Sequence, residues 1–252
     1  MVTSSDDGLD YPLTGQPEDG NSREIEPGLL WIRLPLPYRL NHVNVWAIDD
    51  GDGWTVVDTG LADNLTRGIW ESLLVGPLGG RAVKRVIATH FHPDHIGLAG
   101  WLTEHTGACF AGSLADWLFA RALSTDSSPG LAASMERFYR RTGLDSDTLA
   151  AIVAHGNSYA RSVDPIPPTF TRLRHGDSLA MGGQTWRVIT GGGHTPESLC
   201  LYRPGTPLLI SGDQVLPRIS PNISVWPNEP DADPRSDFLA SFDALLALPD
   251  DV

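Results

Sequence analysis

Cysteine is scarce in this 252-residue chain, which holds only Cys109 and Cys200. Two thiols cannot build a disulfide framework, and this excludes the small cross-linked secreted scaffolds. The apolar neighbours of both predict reduced thiols in a core. Long hydrophobic runs are missing too. No stretch approaches the ~18 apolar residues that span a bilayer. The first ten residues are acidic and polar, without the apolar segment of a secretory leader. The expectation is a soluble, cytoplasmic protein with no membrane partner.

Positive charge is also in short supply, with 18 Lys and Arg against 31 Asp and Glu. The imbalance sits at the two ends. Residues 1–26 and 228–252 each hold seven acids and one Arg, while residues 27–227 carry 17 acids and 16 bases. A near-neutral body with acidic ends offers no basic stripe for a phosphate backbone, so nucleic acid is excluded as an expected partner.

What is present is a 41% hydrophobic chain, enough to bury the core of one large domain. Residues 1–25, rich in Ser, Asp, Gly, Pro and Glu, read as a disordered acidic tail. Residues 26–252 read as one α/β domain. Short β-rich runs predict strands over 29–34, 43–48, 54–57, 83–89 and 108–111 in the first half. Further strands are expected over 178–181, 184–189, 199–202 and 207–210. Asp50-Gly51-Asp52-Gly53 and Gly182-Gly183 are hairpin signals. Helical spacing predicts helices over 64–74, 96–105 and 236–248. Between the halves, residues 113–163 read as a helical insertion. It would hold helices over 114–123 and 131–141, and a third from an Asp145 cap to about 159.

The chemistry concentrates in Thr89-His90-Phe91-His92-Pro93-Asp94-His95, where three imidazoles and a carboxylate fall within six residues. The run follows an apolar strand and precedes a helix, so it lies on a strand-end loop held by a rigid sheet. Neutral imidazole and carboxylate are ligands that zinc, iron and manganese accept.

With this run in place, the sequence resembles the metallo-β-lactamase superfamily, in its glyoxalase II and lactonase-like branch. The His-x-His-x-Asp-His signature stands in full at 90–95. Val57-Asp58-Thr59-Gly60, Gly193-His194-Thr195-Pro196 and Ser211-Gly212-Asp213 match three further segments in order. The resemblance implies a four-layer αβ/βα sandwich. It also implies a first metal on His90, His92 and His194, a second on Asp94 and His95, and Asp213 between the two. Asp58 would orient a ligand from behind. The implied cofactor is one or two Zn2+ ions, with Fe or Mn as alternatives. The family's second metal usually takes a further His well past the bridging Asp, and none follows Asp213 here. The expectation is therefore a chain lacking the C-terminal strand and last His, with a weaker second site. The remaining histidines (42, 105, 155 and 175) are not in the matching position; only His42 is a candidate to overhang the site, and a core or surface role is the expectation for it.

The implied activity is metal-dependent hydrolysis of a small-molecule thioester, lactone or related ester by a metal-bound hydroxide, with Asp94 holding the water and its proton. His92 stands where flavin-linked reductases of the superfamily usually carry Glu, which disfavours a redox di-iron role. Two other readings stay open. One is a mononuclear iron persulfide dioxygenase using His90, His194 and Asp213. The other is a metal-stabilised scaffold without catalysis. Trp117, Phe119, Phe138, Tyr139 and Tyr159 of the insertion form a wall over the site, pack the insertion onto the sandwich, or make a homodimer contact.

Overall fold

The computed structural model describes residues 3, 4 and 10–252. Two sheets dominate it. The larger runs β3 (Ser22–Glu26), β4 (Leu29–Pro35), β5 (His42–Asp49), β6 (Trp54–Val57), β7 (Val83–Ile87), β8 (Cys109–Gly112) and β9 (Thr171–Arg172), each beside the next. Its first four strands are antiparallel, and β6 to β9 are parallel. The smaller sheet is an antiparallel meander of β10 (Ser178–Met181), β11 (Gln184–Gly191), β12 (Ser198–Arg203) and β13 (Leu208–Ile210). A short antiparallel pair, β1 (Thr3–Ser4) and β2 (Asp10–Tyr11), stands apart.

Period-two alternation sorts the strand side chains into separate cores. Leu30, Ile32 and Leu34 of β4, with Val43, Val45 and Ala47 of β5, face the helical side. There they meet Trp70 and Leu73 of α1 (Asn64–Val75) and Leu102 of α3 (Ala99–Thr106). Ile48, Val57, Ile87 and Ala111 face the other way, onto Trp186, Val188, Leu199 and Leu201 of the smaller sheet. The intervening residues Ile189, Cys200 and Tyr202 point outward, to Ala244 and Leu245 of α7 (Pro234–Leu246). Three apolar interfaces join helix, sheet, sheet and helix in four layers, the architecture that the sequence implied.

The insertion consists of α4 (Leu114–Thr125), α5 (Pro129–Arg140), α6 (Ser146–His155) and a 3-10 turn over Tyr159–Arg161. Ser113 and Asp145 cap α4 and α6 by accepting from first-turn backbone N–H groups. No helix among the described residues is long and apolar enough to cross a membrane.

Three expectations need correction. The tail does not extend to residue 25, because residues 22–26 form edge strand β3, paired with β4 from Ser22↔Ile32 to Glu26↔Leu29. Its polar composition suits an edge, where charged side chains discourage further strand addition, and Ile25 packs between the sheets. Of the remaining residues of that expectation, 3, 4 and 10–21 are described, with β1 paired to β2 and Gly20 N–H donating to the Arg33 carbonyl, and 1–2 and 5–9 lie outside the described residues. The helix expected over 96–105 is split into α2 (Pro93–Ile96) and α3. At Gly97 a Cβ would lie 2.5 Å from the Gly60 carbonyl oxygen, so the chain bends there in close contact with the turn after β6. Finally, Cys109 is exposed at the start of β8, whereas Cys200 is buried and its thiol pushed up to about 12 by burial. A thiol reagent should therefore modify Cys109 alone in the native protein and both cysteines after denaturation, as counted by mass spectrometry.

Candidate metal centre

The site is assembled where β6 and β7 end. Asp58, directly after β6, has φ 65 and is the one non-glycine residue with positive φ among those described. For a non-glycine residue that conformation costs about 1–2 kcal/mol. In return its buried carboxylate gathers three donors. Thr89 N–H donates to Oδ1 at 2.7 Å, and Thr89 Oγ1 donates to Oδ2 at 2.8 Å. His95 Nδ1 lies 2.8 Å from the same Oδ2 and donates to it. With its proton committed to Asp58, Thr89 Oγ1 can only accept from His90 Nδ1, 3.0 Å away. On the second sheet's side, His194 Nδ1 is 2.8 Å from the Asn222 carbonyl, an acceptor only. Each of these three rings therefore carries its proton on Nδ1 and turns Nε2 inward.

Those inward atoms converge. His194 Nε2 is 3.0 Å from His92 Nδ1 and 3.3 Å from His90 Nε2. His95 Nε2 lies 3.3 Å from Asp213 Oδ1 and 3.7 Å from Asp94 Oδ2, and Asp213 Oδ2 is 3.6 Å from His194 Nε2. The ligand atoms of His90, His92 and His194 all lie within 4.8 Å of one another, as do those of His90, His95 and Asp213. Five of the six expected residues fall in these two groups; Asp94 joins neither, and its nearest approach to them is the 3.7 Å to His95 Nε2. His42 joins neither cluster and its Nδ1 faces Asn41 instead.

The donor set fits a cation. Lone pairs of His90 and His194 face each other across 3.3 Å with no proton between them, an arrangement that repels unless a Lewis acid accepts both. His95 Nε2 is buried and has no hydrogen-bond partner. Electrostatics agree. Burial, reinforced by the neighbouring imidazoles, pushes His90 well down and His92 to about 3, so both stay neutral. Burial also lowers His194. Burial opposes a charged His95 as well, but the carboxylates of Asp213, Asp58 and Asp94 outweigh it and raise that imidazole. Asp213 is driven up by burial and further down by His95, His194 and His92, to about 2. A buried imidazole ringed by three carboxylates demands positive charge.

Several functional groups escaped sequence reasoning. Thr89 and the Asn222 carbonyl set the imidazole tautomers, and neither carries a signature of its own. Trp226 places its ring 5.9 Å from His92 and 5.5 Å from Phe91, giving the cluster an apolar neighbour. Of the insertion aromatics, Phe119 and Tyr159 pack against Phe91, and Trp117 stacks on Phe170 at 4.3 Å. These three fasten the insertion onto the sandwich. Phe138 and Tyr139 contact each other on α5. At Gly193 (φ 86) a Cβ would lie 2.2 Å from the Pro234 carbonyl oxygen, so α7 presses the His194 loop toward the cluster.

The Asp58 network yields a stability prediction. Asp58→Ala leaves buried donors on Thr89 and His95 unmatched. It should destabilise the metal-free protein by about 2–4 kcal/mol in urea unfolding. A loss below about 0.5 kcal/mol, typical of surface substitutions, would show that the carboxylate does not hold this corner.

The comparisons with known proteins agree with this geometry. The model of the metallo-beta-lactamase superfamily matches residues 38–252. Among solved structures, a beta-lactamase domain protein from Burkholderia ambifaria is 37% identical, with a TM-score of 0.82 over 96% of this chain and 72% of that one. A metallo-beta-lactamase family protein from Thermus thermophilus is 28% identical, with a TM-score of 0.75 over 89% of this chain and 71% of that one. The acyl-coenzyme A thioesterase MBLAC2 of Bos taurus is 26% identical over 200 residues, 77% of this chain. The chain spans 65% of the length of that relative. By the family match over most of its length, with the converged histidines and acids behind it, this chain belongs to the metallo-β-lactamase superfamily.

Proposed function

We propose that the protein is a metal-dependent hydrolase of small-molecule thioesters, acyl-coenzyme A thioesters first among them. The convergence of His90, His92 and His194 beside Asp94, His95 and Asp213 carries the hydrolase reading. The similarity to an acyl-coenzyme A thioesterase supports the thioester, with lactones as related substrates. His90, His92 and His194 would hold the first ion, Asp94 and His95 the second, with Asp213 reaching both groups through its two oxygens. Zn2+ suits this set of imidazole and carboxylate donors, and Fe or Mn would also be accepted. When bound, the ion supplies Lewis acidity, lowering the pKa of water toward about 7 and polarising a carbonyl oxygen.

The chain's own residues do the rest. Asp94 is partly open to solvent, with 23% of its side chain accessible, while His95 and His194 are sealed. A water attacking the thioester carbonyl can pass its proton to the Asp94 carboxylate. The new carbon–oxygen bond forms as the carbonyl π bond opens to an oxyanion, and collapse of that oxyanion breaks the carbon–sulfur bond. The thiolate then leaves and takes up the proton, giving a carboxylic acid and a thiol. Trp226, partly exposed beside His92, offers an apolar surface for the acyl chain. A single-iron dioxygenase centre on His90, His194 and Asp213 would leave His92 idle, although its Nδ1 is 3.0 Å from His194 Nε2.

The test is hydrolysis of acyl-coenzyme A thioesters of several chain lengths, with metals quantified. Chelation should abolish turnover, and added Zn2+ should restore it. Asp94→Asn keeps the shape but cannot take the proton, and should lower kcat by roughly 100-fold or more. His92→Ala should lose metal and activity together, since an open site cannot spare a ligand. Full turnover in His92→Ala, or in chelated protein, would overturn the proposal.

A further inference from the structure

One buried carboxylate lies outside the metal cluster yet touches both loops that build it. Asp116, 3% exposed, occupies the first turn of α4, three residues after the capping Ser113. In a Ser-x-x-acid capping box the acid folds back on the cap residue's own N–H. Here Ser113 Oγ accepts from Asp116 N–H and donates to Asp116 Oδ2 at 3.3 Å, and the carboxylate also reaches outward. Its Oδ1 accepts from Phe91 N–H at 2.9 Å, and its Oδ2 from Glu197 N–H at 2.8 Å. Phe91 is the residue between His90 and His92, and Glu197 lies three residues beyond His194. Glu197 answers in kind, its Oε2 accepting from Ala115 N–H at 3.1 Å.

The insertion holds the other side of Phe91 as well. Tyr159 Oη donates to the Phe91 carbonyl at 2.7 Å. Both peptide groups of the residue between two clustered imidazoles are thus bound by residues of the helical insertion. The two loops come from chain segments about a hundred residues apart, yet they must be registered so that His92 and His194 meet at 3.0 Å. Among the described residues, Asp116 is the single side chain that accepts from the backbone of both.

From this we infer that Asp116 is a positioning residue that sets the spacing of the first metal site, with Tyr159 as its second support. The helical insertion then acts as a clamp on the ligand loops. The inference rests on the metal-site reading above. Asp116→Asn keeps the volume but puts an amide N–H where one backbone donor points, so one of the two tethers is lost.

The experiment is competition for Zn2+ between the metal-free protein and a chromophoric chelator, joined to the absorption spectrum of the Co2+-loaded form. Asp116→Asn should weaken the tighter site by about 10–100-fold, the range found for groups that orient ligands. It should also alter the Co2+ bands, and lower kcat more than it raises KM. Tyr159→Phe removes only the bond to the Phe91 carbonyl, and should weaken binding in the same direction by about 3–10-fold, within the lower part of that range. Asp145→Ala is the stability control: it removes the α6 cap in the same insertion but touches neither tether, and should bind Zn2+ as the wild type does. If Asp116→Asn does not fold, Tyr159→Phe decides. Wild-type affinity and Co2+ spectrum in the folded tether variants would overturn the inference. So would a loss in Asp145→Ala equal to theirs. His92→Ala separates the two levels. If it binds Zn2+ like the wild type, the metal-site reading itself fails; if it alone loses Zn2+, only the positioning role fails.

Discussion

Everything at the centre depends on one requirement: imidazoles and carboxylates buried within a few ångströms of each other must each have a fixed proton and a fixed direction. Asp58 meets the first part of it. From a left-handed backbone position it binds Thr89 through both main chain and side chain, and takes the proton of His95. Thr89 passes the constraint on to His90. The Asn222 carbonyl does the same for His194 from another segment. Because every Nδ1 proton in this chain of contacts is committed outward, lone pairs are left facing inward. That is the condition for holding a cation.

The layered cores explain why such a site can be rigid. Alternating residues of one strand serve different interfaces, so Val86 packs toward the helices while its neighbour Ile87 packs between the sheets. Thr89 and His90 lie two and three residues past the end of this strand, which is gripped from both faces. The second sheet brings His194 and Asp213 up to the same edge. Its register is tied to the first by Leu199 N–H donating to the Thr89 carbonyl at 2.8 Å. Gln214, fully buried beside Asp213, bonds Ser198, Gly192 and Ser241, joining β12, the His194 loop and α7. The cluster is therefore a junction of both sheets and the last helix.

The insertion contributes through its inner surface. Its aromatic residues Phe119 and Tyr159 pack on Phe91, and Trp117 donates to the Pro167 carbonyl while stacking on Phe170. Burial drives the Asp116 carboxyl up to about 6 even though the backbone N–H groups of Phe91 and Glu197 favour its charged form. An ionised carboxylate in so buried a place is costly unless several donors face it. Here the donors belong to the metal-site loops, which links the folding of the insertion to the geometry of the cluster.

Sequence alone determined what is local or periodic. The run of ligands at 90–95 is legible because six consecutive residues carry it, and the strand cores are legible because alternation repeats every two residues. The strand over Trp54–Val57 and the hairpin at Gly182-Gly183 needed no tertiary information, since backbone preference and turn chemistry act over a few residues. What only the tertiary structure decided is non-local or polar. Edge strand β3 has the composition of a tail, and its partner β4 makes it a strand. Cys109 shares its apolar neighbours with buried strands, but its place at the strand's first residue exposes it. Asp116, in the first turn of α4, carries no functional signature in the sequence. Its bonds to Phe91 and Glu197 span 25 and 81 residues, distances over which no sequence pattern specifies a hydrogen bond, so only the packed layers assign it a role.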